Sequence, residues 1–196
     1  DSDVDLDGKS GMKLFYTGTV VKSYSAYGAN REHVWPKNGG KAFPASSKCG
    51  SDAHHLRPCD QQLNSTRGSL SYGEVTQTAG NIVKQDGSTT YDNLCYKSGS
   101  FFYPGVGYRG ATARILMYVQ TRWGNNYNLT FVDGSGSNKT IGDFDTLYKW
   151  HLEEPPTREE IYRNNCVAAI QGNRNPFIDH PEYAYYIYSE AGSYYS

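Results

Sequence analysis

No stretch of this 196-residue chain approaches the roughly 18 consecutive apolar residues of a membrane-spanning helix. The longest apolar segment, Ile115-Leu116-Met117-Tyr118-Val119, is far too short, so no membrane partner is expected. None of the four cysteines forms a Cys-x-x-Cys, so zinc-ribbon and thioredoxin-like sites lack their basic spacing. Gly-x-Ser-x-Gly and His-Glu-x-x-His are absent too, which leaves serine-esterase and zincin chemistry without local support. Charge is sparse: 19 Lys/Arg against 20 Asp/Glu leaves a net charge of -1, not the basic excess of a dedicated polyanion binder. There is no internal repeat and no interdomain linker, which bounds the chain to one domain. It opens on Asp1 without an initiator Met or a leader, as a processed secretory protein does, so a secreted or periplasmic location is expected.

What is present is tyrosine, at 18 residues, and glycine, at 21. Tyr adds apolar bulk with a wet end, and the combination suits an irregular, well-hydrated fold. Four cysteines permit two disulfides in three connectivities, with buried free thiols as the alternative. Cys49–Cys59 with Cys95–Cys166 is the working expectation, and the first pair would brace the segment that carries the chemistry. The charge is also uneven. Asp1, Asp3, Asp5 and Asp7 crowd the first residues, whereas between Arg31 and Arg122 eleven Lys/Arg face six Asp/Glu. Such a locally basic face is compatible with phosphate binding.

Residues 1–12 are expected as a flexible acidic segment. Asp3-Val4-Asp5-Leu6-Asp7-Gly8 matches the front of a calcium loop, but the twelfth position falls on Leu14, which cannot ligate. Residues 13–196 are expected as a single α+β domain with additional helices in the C-terminal half. Leu14 to Val21 reads as a strand, Glu32 to Trp35 as an extended segment stopped by Pro36, and Asp52 to Leu56 as a strand ended by Pro58. A short helix follows at Asp60 to Asn64, before Gly68. Residues 69–108 are Gly-, Ser- and Tyr-rich and read as loops with short strands. Helical spacing predicts a helix from Gly110 to Trp123 with Gly124 as its stop, and another over Asp143 to Leu152. Thr157-Arg158-Glu159-Glu160 is a capping box opening a helix to Gln171, and Asn173-Arg174-Asn175-Pro176 is turn chemistry.

Metal-assisted phosphodiester cleavage needs few parts. A hard cation needs oxygen ligands such as a carboxylate and an amide. A base near neutral pKa must activate water, and a cationic side chain must hold the phosphate. Arg31-Glu32-His33, followed by Asn64 and Arg67 on a short helix, offers one of each. Strand alternation, however, sends Glu32 and His33 to opposite faces, so they share a site only where the strand ends or bends.

Arg31-Glu32-His33-Val34-Trp35-Pro36, Ser51-Asp52-Ala53-His54-His55-Leu56-Arg57-Pro58 and Asn64-Ser65-Thr66-Arg67-Gly68 together resemble the endonuclease I family. Arg109-Gly110-Ala111-Thr112-Ala113-Arg114 and Gln171-Gly172-Asn173-Arg174-Asn175-Pro176-Phe177 are similar to its other signature blocks. The resemblance implies a ββα-metal core in which Glu32 and Asn64 hold one divalent cation, Mg²⁺ first and Mn²⁺ or Ca²⁺ as alternatives. It gives His33 the role of general base. The implied substrates are DNA and RNA with little sequence specificity, cut to 5′-phosphate products by a secreted monomer.

The family's phosphate-binding loop arginine is missing here; that loop carries Lys37, Lys41 and Lys48. Lys41 and Arg67 are the substitutes expected at phosphate, and Arg174 is expected to reach nucleic acid. Arg31, Asp52 and His54 are expected in supporting roles. The alternative is a catalytically inactive nucleic-acid- or carbohydrate-binding module on the same scaffold, which the Tyr and Trp content would suit. Retention of the base and of both ligand types speaks against it.

Overall fold

The computed structural model describes residues 3, 4, 6, 10–24, 28–83, 93–134 and 136–188. Asp1, Asp5 and Asp7 lie outside them, and with them much of the expected acidic segment. Asp3 lies within and is tied to the domain: its Oδ1 sits 2.8 Å from Arg57 Nε and 2.9 Å from Arg163 Nε. Burial alone would raise the Asp3 pKa, but the two guanidiniums pull it below the ordinary carboxylate value.

The strand expected over Leu14 to Val21 is instead a tight turn between two short strands. Strands β1 (Met12–Lys13) and β2 (Val20–Val21) pair antiparallel, Met12 opposite Val21. Between them the chain reverses through Tyr16, which adopts a left-handed φ of 73°, closed by Leu14 N–H donating to the Thr19 carbonyl at 2.9 Å. Leu14, Phe15 and Tyr16 are driven inward by this turn and are fully buried, so apolar content here reports depth, not strand.

Strands β3 (Ala29–His33) and β4 (Leu56–Asp60) form an antiparallel pair in the register Ala29 with Asp60 and His33 with Leu56. The second strand thus starts where the sequence expected one to end. Asp52 to His55 is a turn, and Pro58 sits inside β4 opposite Arg31. Proline is tolerated because this is a two-stranded sheet in which its missing N–H breaks no central ladder. Helix α1 (Gln61–Arg67) follows directly. Asp60 caps it by accepting from Leu63 N–H at 2.8 Å, and Gly68 ends it with a φ of 53°.

Strands β5 (Ser71–Tyr72), β6 (Tyr96–Ser98) and β7 (Phe101–Tyr103) make a second sheet of order β5-β7-β6. Helix α2 (Arg109–Tyr127) runs through Gly124, the expected stop, and ends at Asn128 in the left-handed conformation. Most of its length is buried on all sides, and a helix held by packing tolerates an internal glycine. Helix α3 (Phe144–Glu153) packs on it, and α4 (Arg158–Gln171) opens on the expected capping box. Two short helices, α5 (Pro176–Asp179) and α6 (Tyr183–Tyr188), complete the described chain. One apolar core joins Trp35, Phe43 and Tyr72 to Leu116 of α2, Trp150 of α3 and Phe177 of α5. The fold is a single α+β domain of small sheets and helices, as the sequence reading expected.

All four cysteines are free thiols, so neither expected disulfide is formed. The neighbours the fold makes are not the expected pairs: Cys59 lies within electrostatic reach of Cys95. Cys95 Sγ faces the carbonyls of Tyr16 and Pro104 at 3.7 and 3.5 Å, while Cys166 lies on α4, away from the core. Burial pushes the Cys49 thiol up to about 12, which keeps it protonated and unreactive.

Helices α2 and α4 are locked by a buried ion pair. Arg114 donates to both carboxylate oxygens of Glu160 at 2.7 and 2.8 Å, and to the Glu154 carbonyl at 2.7 Å. Arg114→Met leaves Glu160 buried and uncompensated, and urea denaturation is expected to show a loss of about 3–5 kcal/mol. A loss below about 1 kcal/mol would place the pair with ordinary surface bridges instead.

Candidate active site

The unit β3-β4-α1 brings strand, strand and helix together around Glu32. Glu32 points to the face covered by α1 and is 1% exposed. Its Oε1 accepts from the Tyr16 hydroxyl at 2.9 Å and lies 3.4 Å from Arg67 Nε. Its Oε2 has no hydrogen-bond partner among the described residues. Burial raises the carboxyl's pKa above the ordinary value, against the lowering influence of Arg67 and the Tyr16 hydrogen bond.

Arg67 is enclosed as completely as Glu32. It donates to the Val34 carbonyl at 2.5 Å, the Tyr72 hydroxyl at 2.6 Å and the Gly68 carbonyl at 3.0 Å. Tyr72 and Tyr16 share a hydroxyl contact of 2.6 Å, which closes the ring of buried polar groups. A guanidinium held this way faces the carboxylate and the Val34 carbonyl just past β3, away from solvent. Sequence reasoning missed Tyr16 and Tyr72. Nothing in their local sequence separates them from the chain's other tyrosines, and the turn through Tyr16 brings the first of them in.

His33 ends β3 and faces the other way, towards Gly50, with a buried ring packed near Phe43 and His55. Its Nε2 lies 2.9 Å from the Gly50 carbonyl oxygen, which can only accept. The proton therefore sits on Nε2, and Nδ1 keeps its lone pair with no hydrogen-bond partner among the described residues. Burial lowers the imidazole's pKa, outweighing the Gly50 bond that favours the cation, and the charges of Lys37 and Arg31 add to the lowering. Gly50 has no room for a side chain: a Cβ there would lie 2.4 Å from the Pro44 carbonyl oxygen and 2.6 Å from that of Ala45. The turn that holds His33 thus needs glycine for close backbone approach.

Asn64, on α1, donates from Nδ2 to Asn30 Oδ1 at 2.6 Å and to the Arg31 carbonyl at 3.3 Å. That fixes the amide and leaves its Oδ1 with no hydrogen-bond partner among the described residues. Glu32 Oε2 and Asn64 Oδ1 are both hard oxygen donors, the type a divalent cation of the Mg²⁺ class takes. No cluster of three or more His, Cys, Asp or Glu able to hold a metal occurs among the described residues. This donor pair fits an ion that keeps several waters, as Mg²⁺ does, and does not fit a closed zinc site.

The basic residues divide. Arg31, Lys37 and Lys41 are exposed, and the first two bear electrostatically on His33. Arg174 instead pairs with Asp179 at 2.6 and 2.7 Å, next to α5. Asp52 and His54 belong to a neighbouring polar node. Asp52 accepts from Tyr118 at 2.6 Å, Trp123 Nε1 at 2.9 Å, Gln171 Nε2 at 2.9 Å and His54 N–H at 3.0 Å. His54 donates from Nε2 to the Asn173 carbonyl at 2.9 Å. Between the two groups lies His55, which accepts the Trp35 N–H at 2.8 Å and is fully buried.

His33, His54, His55 and His151 all have pKa values lowered by burial, His55 to about 4. The folded state therefore binds fewer protons than the unfolded chain below about 6.5, so these groups lose stability as pH falls. Glu32, with a raised value, acts in the opposite sense. For His55 the loss starts near pH 6.5, is complete near pH 4, and amounts to roughly 3 kcal/mol. Denaturant midpoints measured from pH 7.5 to 4 should fall, and His55→Gln should flatten that slope. Parallel profiles for the two proteins would contradict the assignment.

The family model described as Endonuclease I matches residues 2–182. The chain is 36% identical over 165 residues to an "Extracellular ribonuclease" of Bacillus amyloliquefaciens, covering 79% of this chain and 52% of that protein. It is 36% identical over 163 residues to an "Extracellular ribonuclease" of Bacillus subtilis (strain 168), with the same coverage. It is 26% identical over 152 residues to the "Endonuclease-1" of Buchnera aphidicola subsp. Acyrthosiphon pisum (strain APS), covering 76% of this chain and 54% of that protein. The chain spans about half the length of these curated relatives. By the match that runs over nearly its whole described length, and through every block that builds the site, this chain belongs to the Endonuclease I family.

Proposed function

We propose that the protein is a secreted, divalent-cation-dependent, sugar-non-specific endonuclease that cuts DNA and RNA to 5′-phosphate products. The observation that carries the reading is the state of His33: its Nε2 proton is tied to Gly50 and its Nδ1 lone pair is open. The same β3-β4-α1 unit carries two oxygen donors with free lone pairs, Glu32 Oε2 and Asn64 Oδ1. Membership of the family supports nuclease activity, and the two relatives named as extracellular support secretion.

In this reading His33 Nδ1 takes the proton of the attacking water, and the Gly50 carbonyl stabilises the imidazolium that results. A neutral imidazole is required, and burial keeps it neutral. A divalent cation held by Glu32 and Asn64 would supply charge stabilisation at phosphorus and at the departing 3′-oxygen. Arg67 and Tyr16 act on Glu32, holding Oε1 so that Oε2 stays turned to the ligand position. The enclosure of Arg67 gives the phosphate contact to Arg31 and Lys37, with Lys41 adding charge on the same loop. None of these contacts reads a base, which fits a substrate recognised by its backbone.

Plasmid DNA and total RNA should both be degraded with Mg²⁺ present, and EDTA should stop both. His33→Ala is expected to lower the rate by about 10²–10⁴-fold in a protein that melts like the parent. Asn64→Ala should be rescued in part by raised Mg²⁺, whereas His33→Ala should not. Failure to cut either nucleic acid with Mg²⁺, Mn²⁺ or Ca²⁺ would overturn the reading, and salt-dependent binding without cleavage would point to an inactive module.

A further inference from the structure

The turn that anchors His33 has a second side. Gly50 gives its carbonyl to the imidazole, while Lys48, two residues before it, lines a cleft of about 330 Å³. The floor of that cleft is closed chemistry. Asp52 is fully engaged by Tyr118, Trp123, Gln171 and His54, and Asn173 donates to the Tyr118 hydroxyl at 2.7 Å. The rim is open chemistry. Neither Lys48 nor Arg122 has a carboxylate partner among the described residues, and both are exposed. Arg122 also lies over the Trp123 ring, its guanidinium carbon 4.2 Å from the centroid. The indole cannot turn away, because its Nε1 is bonded to Asp52 at 2.9 Å.

A planar cation propped on a fixed indole presents its other face as a stacking platform, and nucleobases stack on Arg planes as they do on aromatic rings. A lysine beside it offers a point charge suited to phosphate. We infer that this cleft binds one unpaired nucleotide of the substrate strand, its base on the Arg122 guanidinium and its phosphate at Lys48. A base inside a duplex has both faces covered and must leave the stack before it can use such a platform. The cleft therefore gives the enzyme a preference for single-stranded nucleic acid over duplex of the same sequence. This rests on the nuclease reading and adds a substrate class to it.

The test compares a single-stranded oligonucleotide with its duplex, with Mg²⁺ present, by KM and kcat. The wild-type protein should show the lower KM on the single strand. Arg122→Lys keeps the charge and loses the plane; it should raise the single-strand KM by about fivefold or more, leaving the duplex KM and both kcat values in place. Lys48→Ala should raise the single-strand KM and reduce its salt dependence by about one counterion. Either variant matching wild type on the single strand overturns the inference, and so does an equal KM rise on both substrates with Arg122→Lys. A wild-type protein that cuts neither substrate overturns the nuclease reading itself, so the two failures are distinct. Both positions are exposed, and thermal melts matching the parent's will show that the variants are folded.

Discussion

A carboxylate that is 1% exposed dictates much of the structure around it. Glu32 cannot stay charged under α1 without compensation, and the compensation arrives from three directions. Arg67 comes from α1, Tyr16 from the turn between β1 and β2, and Tyr72 from β5 through its contacts with both. Each is itself buried, so each in turn needs the others to satisfy its polar atoms. The left-handed φ of 73° at Tyr16 belongs to this network. A non-glycine residue persists there because the hydroxyl at its tip is held by Glu32 and Tyr72, and the ring packs on Phe15 and Phe102.

The second organising element is the turn through Cys49 to His55. One side carries the Gly50 carbonyl for His33, and the other carries Asp52, which gathers donors from α2 and from the last residue of α4. A single short segment therefore sets the register between the β3-β4 pair and the helical half. It explains why the loop is compact, with Gly50 pressed against the Pro44 and Ala45 carbonyls. His33, Glu32 and Asn64 sit near where these two elements meet, on a strand end and a helix, which are more rigid supports than a free loop.

Much of this was legible in the residues. The capping box at Thr157, the helix ended by Gly172 and the short helix before Gly68 follow from local rules that tertiary packing did not override. The strand bounds were less legible. Pro58 was expected to end a strand that in fact contains it, because an edge position excuses proline and sequence does not reveal edges. Leu14 to Val21 carries the apolar character of a strand but buries it by turning. The even cysteine count pointed to disulfides, whereas all four are free thiols, three of them buried. In the site, residue types indicated Glu32, His33 and Asn64, and the fold brings all three to one strand-helix unit.

What the sequence alone determined is the list of chemical parts: one imidazole, one carboxylate and one amide in an ordered set of blocks, and the helices whose caps are written locally. Only the tertiary structure decided how those parts are oriented. It put the His33 proton on Nε2 by offering a carbonyl from seventeen residues away, and turned Arg67 inward to a buried carboxylate. It also set Arg122 over Trp123 at the mouth of a cleft. The reason is physical. Residue type fixes what a group can donate or accept, while burial and neighbours, supplied by distant segments, fix which of those options each group uses.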